Sequence, residues 1–190
     1  MIYVVSGFMR SGTSMMMNSL TEGGLTPFYN KHREKYLGTE NEKRDINPSK
    51  FYELGQQEYM RLGMTTELPD ESLAKIMAIG LPILAAGKGF RIVYMRRNPD
   101  EIKASYEDKF PADNFQRMFP TWPSHYWQLL DGVKGIMETR RDVYLTEFWY
   151  DDVIADPEKH IDILIANGWP ITDRQAAISH IDPSHKRFIA

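Results

Sequence analysis

Apolar residues along this chain fall in short runs that alternate with amphipathic stretches. Residues 2–6 (IYVVS) and 90–96 (FRIVYMR) are rich in β-branched and aromatic side chains, which is typical of buried parallel strands. Residues 142–148 predict a third strand, and residues 74–79 predict a further one. Because helical patterns separate these runs, the sequence predicts an α/β fold in three layers, with a central parallel sheet flanked by helices.

The helix predicted after the strand at 90–96 has a strong start signal. Asn98 can cap it, Pro99 suits the first helical position, and Glu101 completes a capping box. Further helices are predicted at about residues 157–167 and 172–180. No linker or change in composition interrupts the alternation, so we expect a single domain over residues 1–190.

Composition narrows the functional classes. The formal net charge is −3, so we expect no general attraction for nucleic acid, and a bound anion needs a local site. The chain has no cysteine, which excludes disulfides and cysteine–zinc sites, and its five histidines lack metal-ligand spacing. Neither a signal-peptide pattern nor a run of about 18 apolar residues occurs, so we predict no membrane span and a cytoplasmic location.

A glycine-bearing loop joins the first predicted strand to the first predicted helix. Residues 7–14 read G-F-M-R-S-G-T-S. Glycines let the backbone turn until successive N–H groups point at one spot, and the helix N-terminus adds its positive end. Phosphate or sulfate is the natural occupant of such a loop. The alternative is an ordinary strand–turn–helix in which the glycines serve only packing.

This loop differs from the ATP-binding P-loop, where a lysine precedes the final Ser or Thr. Thr13 has that position here, and the loop's cation is Arg10, three residues earlier. The strand at 142–148 ends on Thr146-Glu147, without the aspartate that holds magnesium in P-loop NTPases. A kinase that uses ATP and magnesium on a small molecule is therefore a second hypothesis. A non-catalytic nucleotide-binding module is a third, because fold alone does not fix function.

Residues 10–14 (R-S-G-T-S) resemble the 5′-phosphosulfate loop of sulfotransferases, which typically reads [KR]-S-G-T-[TS]. These enzymes use 3′-phosphoadenosine-5′-phosphosulfate (PAPS) as sulfuryl donor. The resemblance implies a P-loop NTPase-like fold, and it implies that the donor's 5′ end is bound by Arg10, Ser11, Gly12, Thr13 and Ser14. It further implies that Arg10 contacts the bridging oxygen and the sulfuryl group, where it stabilises charge on the leaving phosphate.

A second segment, residues 97–105 (R-N-P-D-E-I-K-A-S), matches the sulfotransferase motif R-[ND]-P-x-[DE]-x-x-x-S, which holds the donor's 3′-phosphate. Arg97 precedes the helix and Ser105 lies about two turns along it, so both can contact one phosphate. In the alternative interpretation Arg97 pairs with a carboxylate and Ser105 is an ordinary helix residue. Arg96 is expected to point away from Arg97, because side chains alternate along a strand.

Three more segments resemble small bacterial-type sulfotransferases: residues 47–53 (NPSKFYE), 148–153 (FWYDDV) and 181–187 (IDPSHKR). Together the resemblances imply sulfuryl transfer from PAPS to a hydroxyl or amine of a small-molecule acceptor, with PAP as product and no metal. Lys186 and Arg187 either help to bind the 3′-phosphate or form a solvated basic tail.

Sulfuryl transfer needs a base that takes the acceptor's proton. Our first candidate is Glu53, with Glu34, Asp45 and His125 as alternatives, although each has a purely structural interpretation. The other histidines, among them His160, are expected at the surface. Eight aromatic residues line either an acceptor pocket or the core: Phe115, Phe119, Trp122, Tyr126, Trp127, Phe148, Trp149 and Tyr150.

Overall fold

The computed structural model describes residues 1–28 and 68–182. Its centre is a five-stranded sheet in the order β2-β3-β1-β4-β5, and every pairing between neighbouring strands is parallel. The strands are β1 (Ile2–Gly7), β2 (Thr26–Phe28), β3 (Ser72–Met77), β4 (Phe90–Arg96) and β5 (Val143–Trp149).

Helices connect and cover these strands. They are α1 (Thr13–Glu22), the 3₁₀ helix η1 (Ala78–Ile83), α2 (Pro99–Glu107), α3 (Ala112–Met118), α4 (Ser124–Glu138), α5 (Tyr150–Ala155), α6 (Pro157–Ala166) and α7 (Arg174–Ser179). Within residues 1–28 and 68–182, no helix combines the length and the apolar composition needed to cross a bilayer.

Two hydrophobic cores lie on opposite faces of the sheet. Along β1, Val4 belongs to the core that η1, α2, α3 and α4 cover, whereas Val5 belongs to the core that α1, α5, α6 and α7 cover. This alternation follows from the period of two along a strand. Each fully buried large apolar side chain contributes about 1.5–3 kcal/mol. The predicted three-layer α/β architecture, with helices on both faces of a parallel sheet, is confirmed.

The predicted strands match the observed ones closely, with one omission. The runs at 2–6, 90–96 and 142–148 correspond to β1, β4 and β5, and the run at 74–79 to β3. β3 ends at Met77 because the 3₁₀ helix begins at the next residue. β2 was not predicted, since three residues that include Pro27 carry no periodic signal. Proline is tolerated there because β2 is an edge strand.

The start of α2 is largely as predicted. Asn98 Oδ1 accepts a hydrogen bond from the backbone N–H of Asp100 at 2.9 Å, and Pro99 is the first helical residue. The predicted capping box is wrong in one respect: the carboxylate of Glu101 accepts instead from Arg97 Nε at 2.8 Å. The guanidinium is a charged donor, and a hydrogen bond from it is stronger than one from a backbone N–H.

The expected surface position of His160 is wrong. Only 6% of this residue is exposed, and its ring lies edge-on against Phe148 with centroids 4.7 Å apart. Its Nδ1 lies 2.7 Å from the carbonyl oxygen of Asp156, which satisfies one ring nitrogen inside the core. The sequence predicted a surface position because His160 follows two charged residues at the exposed start of α6.

The aromatic residues for which the sequence left two interpretations open lie mainly in the core. Phe115 and Tyr126 are fully buried, Phe119 is 9% exposed, and all three pack in the core that contains Phe8. Trp149, at the end of β5, is the exception with 39% exposure.

A buried hydrogen bond between distant helices gives a test of the fold. The hydroxyl of Ser19 in α1 is fully buried and donates to the carbonyl oxygen of Ala177 in α7 at 2.7 Å. Ser19→Ala leaves that buried carbonyl unsatisfied and should lower the free energy of unfolding by about 1–3 kcal/mol. The control Ser179→Ala removes an exposed hydroxyl bonded to Ala176 and should change it by less than about 0.5 kcal/mol. Equal effects in urea unfolding would contradict the α1–α7 contact.

Candidate functional site

The sheet brings three chain segments together along the edge that the carboxyl ends of its strands form. β1 lies between β3 and β4, and its last residue, Gly7, pairs with Met77 on one side and Met95 on the other. The loop that follows β1 therefore emerges between the ends of its two neighbours. In open parallel sheets this edge is where ligands bind.

The loop between β1 and α1 depends on two glycines that allow no side chain. A Cβ on Gly7 would lie 2.5 Å from the carbonyl oxygen of Met95, and one on Gly12 would lie 2.5 Å from Cδ2 of Tyr150. The φ of Gly12 is +92°, and Arg10 adopts φ 63°, which is uncommon for a residue with a side chain. The backbone thus wraps tightly against β4 and α5.

The backbone N–H groups at the start of α1 have no side-chain cap from the N-cap residue. Gly12 occupies the N-cap position and has no side chain to accept from the first turn, whose N–H groups lack intrahelical partners. Ser11 closes the loop internally, because its hydroxyl donates to the carbonyl oxygen of Phe8 at 2.7 Å. Such a helix start favours an anion.

Two arginines from separate motifs meet beside this loop. Arg10 Nε donates to the hydroxyl oxygen of Ser105 at 3.0 Å, and Arg97 Nη1 donates to the carbonyl oxygen of Arg10 at 3.1 Å. The structure therefore brings together Arg10, Arg97 and Ser105, which come from the two motifs that the sequence analysis assigned to the two ends of the donor. The resemblance assigns Arg10 to the sulfuryl end and Ser105 to the 3′-phosphate, whereas here the two side chains contact each other.

Lys75 adds a cation that the sequence analysis did not include. It lies on β3, is 3% exposed, and its Nζ donates to the hydroxyl of Ser14 at 2.9 Å. A lysine in the middle of an apolar strand is a usable signal, because burying an ammonium group is costly without a partner. What the sequence did not reveal is that β3 pairs directly with β1.

Arg97 is almost fully enclosed. It is 5% exposed, its guanidinium lies 4.3 Å from the centre of the Tyr150 ring, and its Nε donates to Glu101 Oε2. The carboxylate pairing that the alternative interpretation expected is therefore present. Arg97 Nη2 is nevertheless buried and makes no hydrogen bond with any residue that the structure describes.

Tyr126 holds the backbone of Arg97 in place. Its hydroxyl donates to the carbonyl oxygen of Arg97 at 2.8 Å and accepts from the N–H of Arg97 at 3.2 Å. Burial raises the pKa of Tyr126, so the hydroxyl keeps the proton that it donates. The end of β4 is thereby bonded to α4.

Arg96 pairs with a carboxylate on the neighbouring strand β5. Its Nη1 donates to Glu147 Oε2 at 2.7 Å, and Lys134 Nζ lies 2.9 Å from Glu147 Oε1. Burial raises the pKa of Glu147, but hydrogen bonds from Lys134 and Arg96 outweigh it and leave this pKa below its usual range. The side chains of Arg96 and Arg97 thus have different hydrogen-bond partners, which agrees with the expected alternation along the strand.

The candidate bases stay predictions. Glu53, Glu34 and Asp45 lie outside the described residues, and so do Lys186 and Arg187. His125 is exposed, with its ring centroid 5.5 Å from that of Phe119. In the described parts of the chain, no group of three or more metal-ligating side chains occurs, and the expected absence of a metal stays an expectation.

Comparisons with known proteins identify the fold. No protein-family model matches the chain, and no curated protein sequence matches it. The structure is similar to that of retinol dehydratase in complex with androsterone and the inactive cofactor PAP, with a TM-score of 0.52 and 16% identity. Retinol dehydratase in complex with retinol and PAP matches with a TM-score of 0.49 and 14% identity.

Both comparisons cover 95% of this chain and 64% of the other, so the chain spans about two thirds of the length of retinol dehydratase. At this level of identity the likeness concerns the fold, which is the three-layer architecture described above.

The close packing of Gly12 gives a test of the loop geometry. Gly12→Ala combines a positive φ with a clash against Tyr150. The control Gly87→Ala has a similar φ of +88°, and no atom of the described residues lies within 4 Å of the new Cβ. The control should lower the free energy of unfolding by about 1–2 kcal/mol, from backbone strain alone. Gly12→Ala should cost about 1–3 kcal/mol more, from overpacking. Urea unfolding measures both, and equal losses would refute the Tyr150 contact.

Proposed function

We propose that this chain binds PAPS and transfers its sulfuryl group to a hydroxyl or amine of a small acceptor. The observation that carries the proposal is the direct contact between the two sequence motifs, Arg97 Nη1 to Arg10 O and Arg10 Nε to Ser105 Oγ. A donor with phosphate groups at both ends of one nucleoside needs two such anion sites side by side. Retinol dehydratase, which shares the fold, was crystallised with PAP, the compound that PAPS becomes on losing its sulfuryl group.

The residues at the 5′ end suit a phosphosulfate. The uncapped N–H groups at the start of α1 supply backbone donors, and Thr13 and Ser14 supply hydroxyls. Arg10 and Lys75 add two positive charges to the same loop. Glycine at positions 7 and 12 lets the loop pack closely against Met95 and Tyr150, and this packing holds the turn that precedes α1.

The residues at the 3′ end suit a phosphate. A buried guanidinium nitrogen without a partner costs free energy, and an anion that accepts from Arg97 Nη2 would remove that cost. Ser105, 3% exposed, accepts from Arg10 and retains its hydroxyl hydrogen for donation. The two groups provide a charged donor and a neutral donor for one phosphate.

The chemistry follows from these assignments. When the acceptor oxygen or nitrogen bonds to sulfur and the bond from sulfur to the bridging oxygen breaks, negative charge grows on the departing phosphate. Arg10 stabilises that charge electrostatically, because a guanidinium does not release its proton near neutral pH. The acceptor's proton goes to a base, for which Glu53 is our candidate, with Glu34, Asp45 and His125 as alternatives.

Calorimetry distinguishes this function from that of a kinase. PAP should bind in the absence of magnesium, and ATP should bind more weakly with or without the metal, because ATP carries no 3′-phosphate for Arg97. Magnesium-dependent binding of ATP in preference to PAP would contradict the proposal and favour the kinase. PAP binding without turnover of PAPS across a broad acceptor panel would favour the non-catalytic module. The panel includes androsterone, because retinol dehydratase was crystallised with it.

Arg10→Ala tests the catalytic assignment. Transfer of ³⁵S from labelled PAPS to the acceptor panel should fall by about 100-fold or more, since the variant loses a charge aimed at the leaving phosphate. Arg10→Lys should retain part of the activity, because the role is electrostatic. The control Arg117→Ala removes an exposed arginine of α3 and should leave transfer unchanged. Turnover by Arg10→Ala at the wild-type rate would remove Arg10 from the mechanism.

A further inference from the structure

The Arg97 guanidinium is held at three of its sides. Glu101 Oε2 accepts from Nε at 2.8 Å, the carbonyl oxygen of Arg10 accepts from Nη1 at 3.1 Å, and the ring of Tyr150 covers one face at 4.3 Å. Three contacts on a rigid planar group fix the direction of its remaining edge, which ends in Nη2. That edge is buried and unpartnered among residues 1–28 and 68–182.

Glu101 accepts fewer hydrogen bonds from the guanidinium than a carboxylate can accept. An arginine and a carboxylate often form two parallel hydrogen bonds, and this geometry is the strong one. Here the carboxylate accepts from Nε, while the adjacent Nη2 has no hydrogen-bond partner in the described part of the chain. The pair therefore orients the arginine without occupying all of its donors.

Stability alone is a poor explanation for this pair. Both side chains are 6% exposed, and the cost of removing two charges from water largely cancels their attraction. An apolar pair of similar volume would pack at least as well. What the pair provides beyond packing is a fixed direction for the guanidinium.

We propose that Glu101 is a positioning residue that holds Arg97 so that Nη2 stays available to the 3′-phosphate of the donor. This inference rests on the proposed function. Ser105 lies one helical turn beyond Glu101 on α2, and its hydroxyl hydrogen is free to donate to the same phosphate. Glu101 thereby acts through Arg97 and does not touch the ligand.

Charge and position predict opposite effects when Glu101 is removed. Its negative charge lies next to the proposed phosphate site, so electrostatics alone would make PAP bind more tightly without it. Positioning predicts the reverse, because Arg97 is no longer held at Nε and its Nη2 loses its fixed direction. The sign of the change in PAP affinity therefore separates the two accounts.

The experiment compares PAP with AMP, which has no 3′-phosphate, in calorimetric titrations of wild type and variants. Glu101→Ala should weaken PAP binding by about tenfold, the size of one hydrogen bond to a charged group, and change AMP binding by less than about twofold. Glu101→Gln should lose less, since its amide oxygen still accepts from Nε, and it carries the test if the alanine variant is unfolded. The control Glu107→Ala, on the same helix and paired with Lys103 at 3.9 Å, should bind both ligands as wild type does.

A double variant completes the test. Arg97→Ala with Glu101→Ala should bind PAP no more weakly than Arg97→Ala alone, because Glu101 acts through Arg97. Tighter PAP binding by Glu101→Ala, or equal losses for PAP and AMP, would overturn the positioning role. Wild-type protein that binds AMP as well as it binds PAP would instead overturn the proposed 3′-phosphate site itself.

Discussion

The parallel pairing of β1 between β3 and β4 is the constraint on which the site depends. It fixes Gly7 opposite Met77 and Met95, so the loop after β1 emerges where its two neighbours end. Lys75 reaches the loop from β3, and Arg97 reaches it from the residue that follows β4. Three cations thus converge although the chain as a whole carries a net charge of −3.

Tyr150 belongs to the hydrophobic core and contacts both the loop after β1 and Arg97. Its ring lies against Gly12 on the loop and under the guanidinium of Arg97, and the residue itself is 3% exposed. Packing at the start of α5 therefore sets the distance between the two arginine-bearing segments. The absence of a side chain at position 12 follows from this packing.

Local signals made part of the architecture predictable, and long-range pairing made the rest unpredictable. The segments from β1 to α1 and from β4 to α2 were predicted because each combines an apolar run with a turn or capping signal in adjacent residues. The contribution of Lys75 depends on which strand neighbours β1, and the contact from Arg10 to Ser105 spans 95 residues. The sequence allowed Arg97 a carboxylate partner but did not identify Glu101 as that partner, because a capping box explained the same residue equally well.

A crystal structure with bound PAP tests the central claim most directly, namely that one bisphosphorylated nucleoside joins the two motifs. The account predicts the 5′-phosphate within the loop of residues 7–14 and the 3′-phosphate on Arg97 Nη2 and the hydroxyl of Ser105. A 3′-phosphate that points into solvent, or a nucleotide bound at another edge of the sheet, would contradict it.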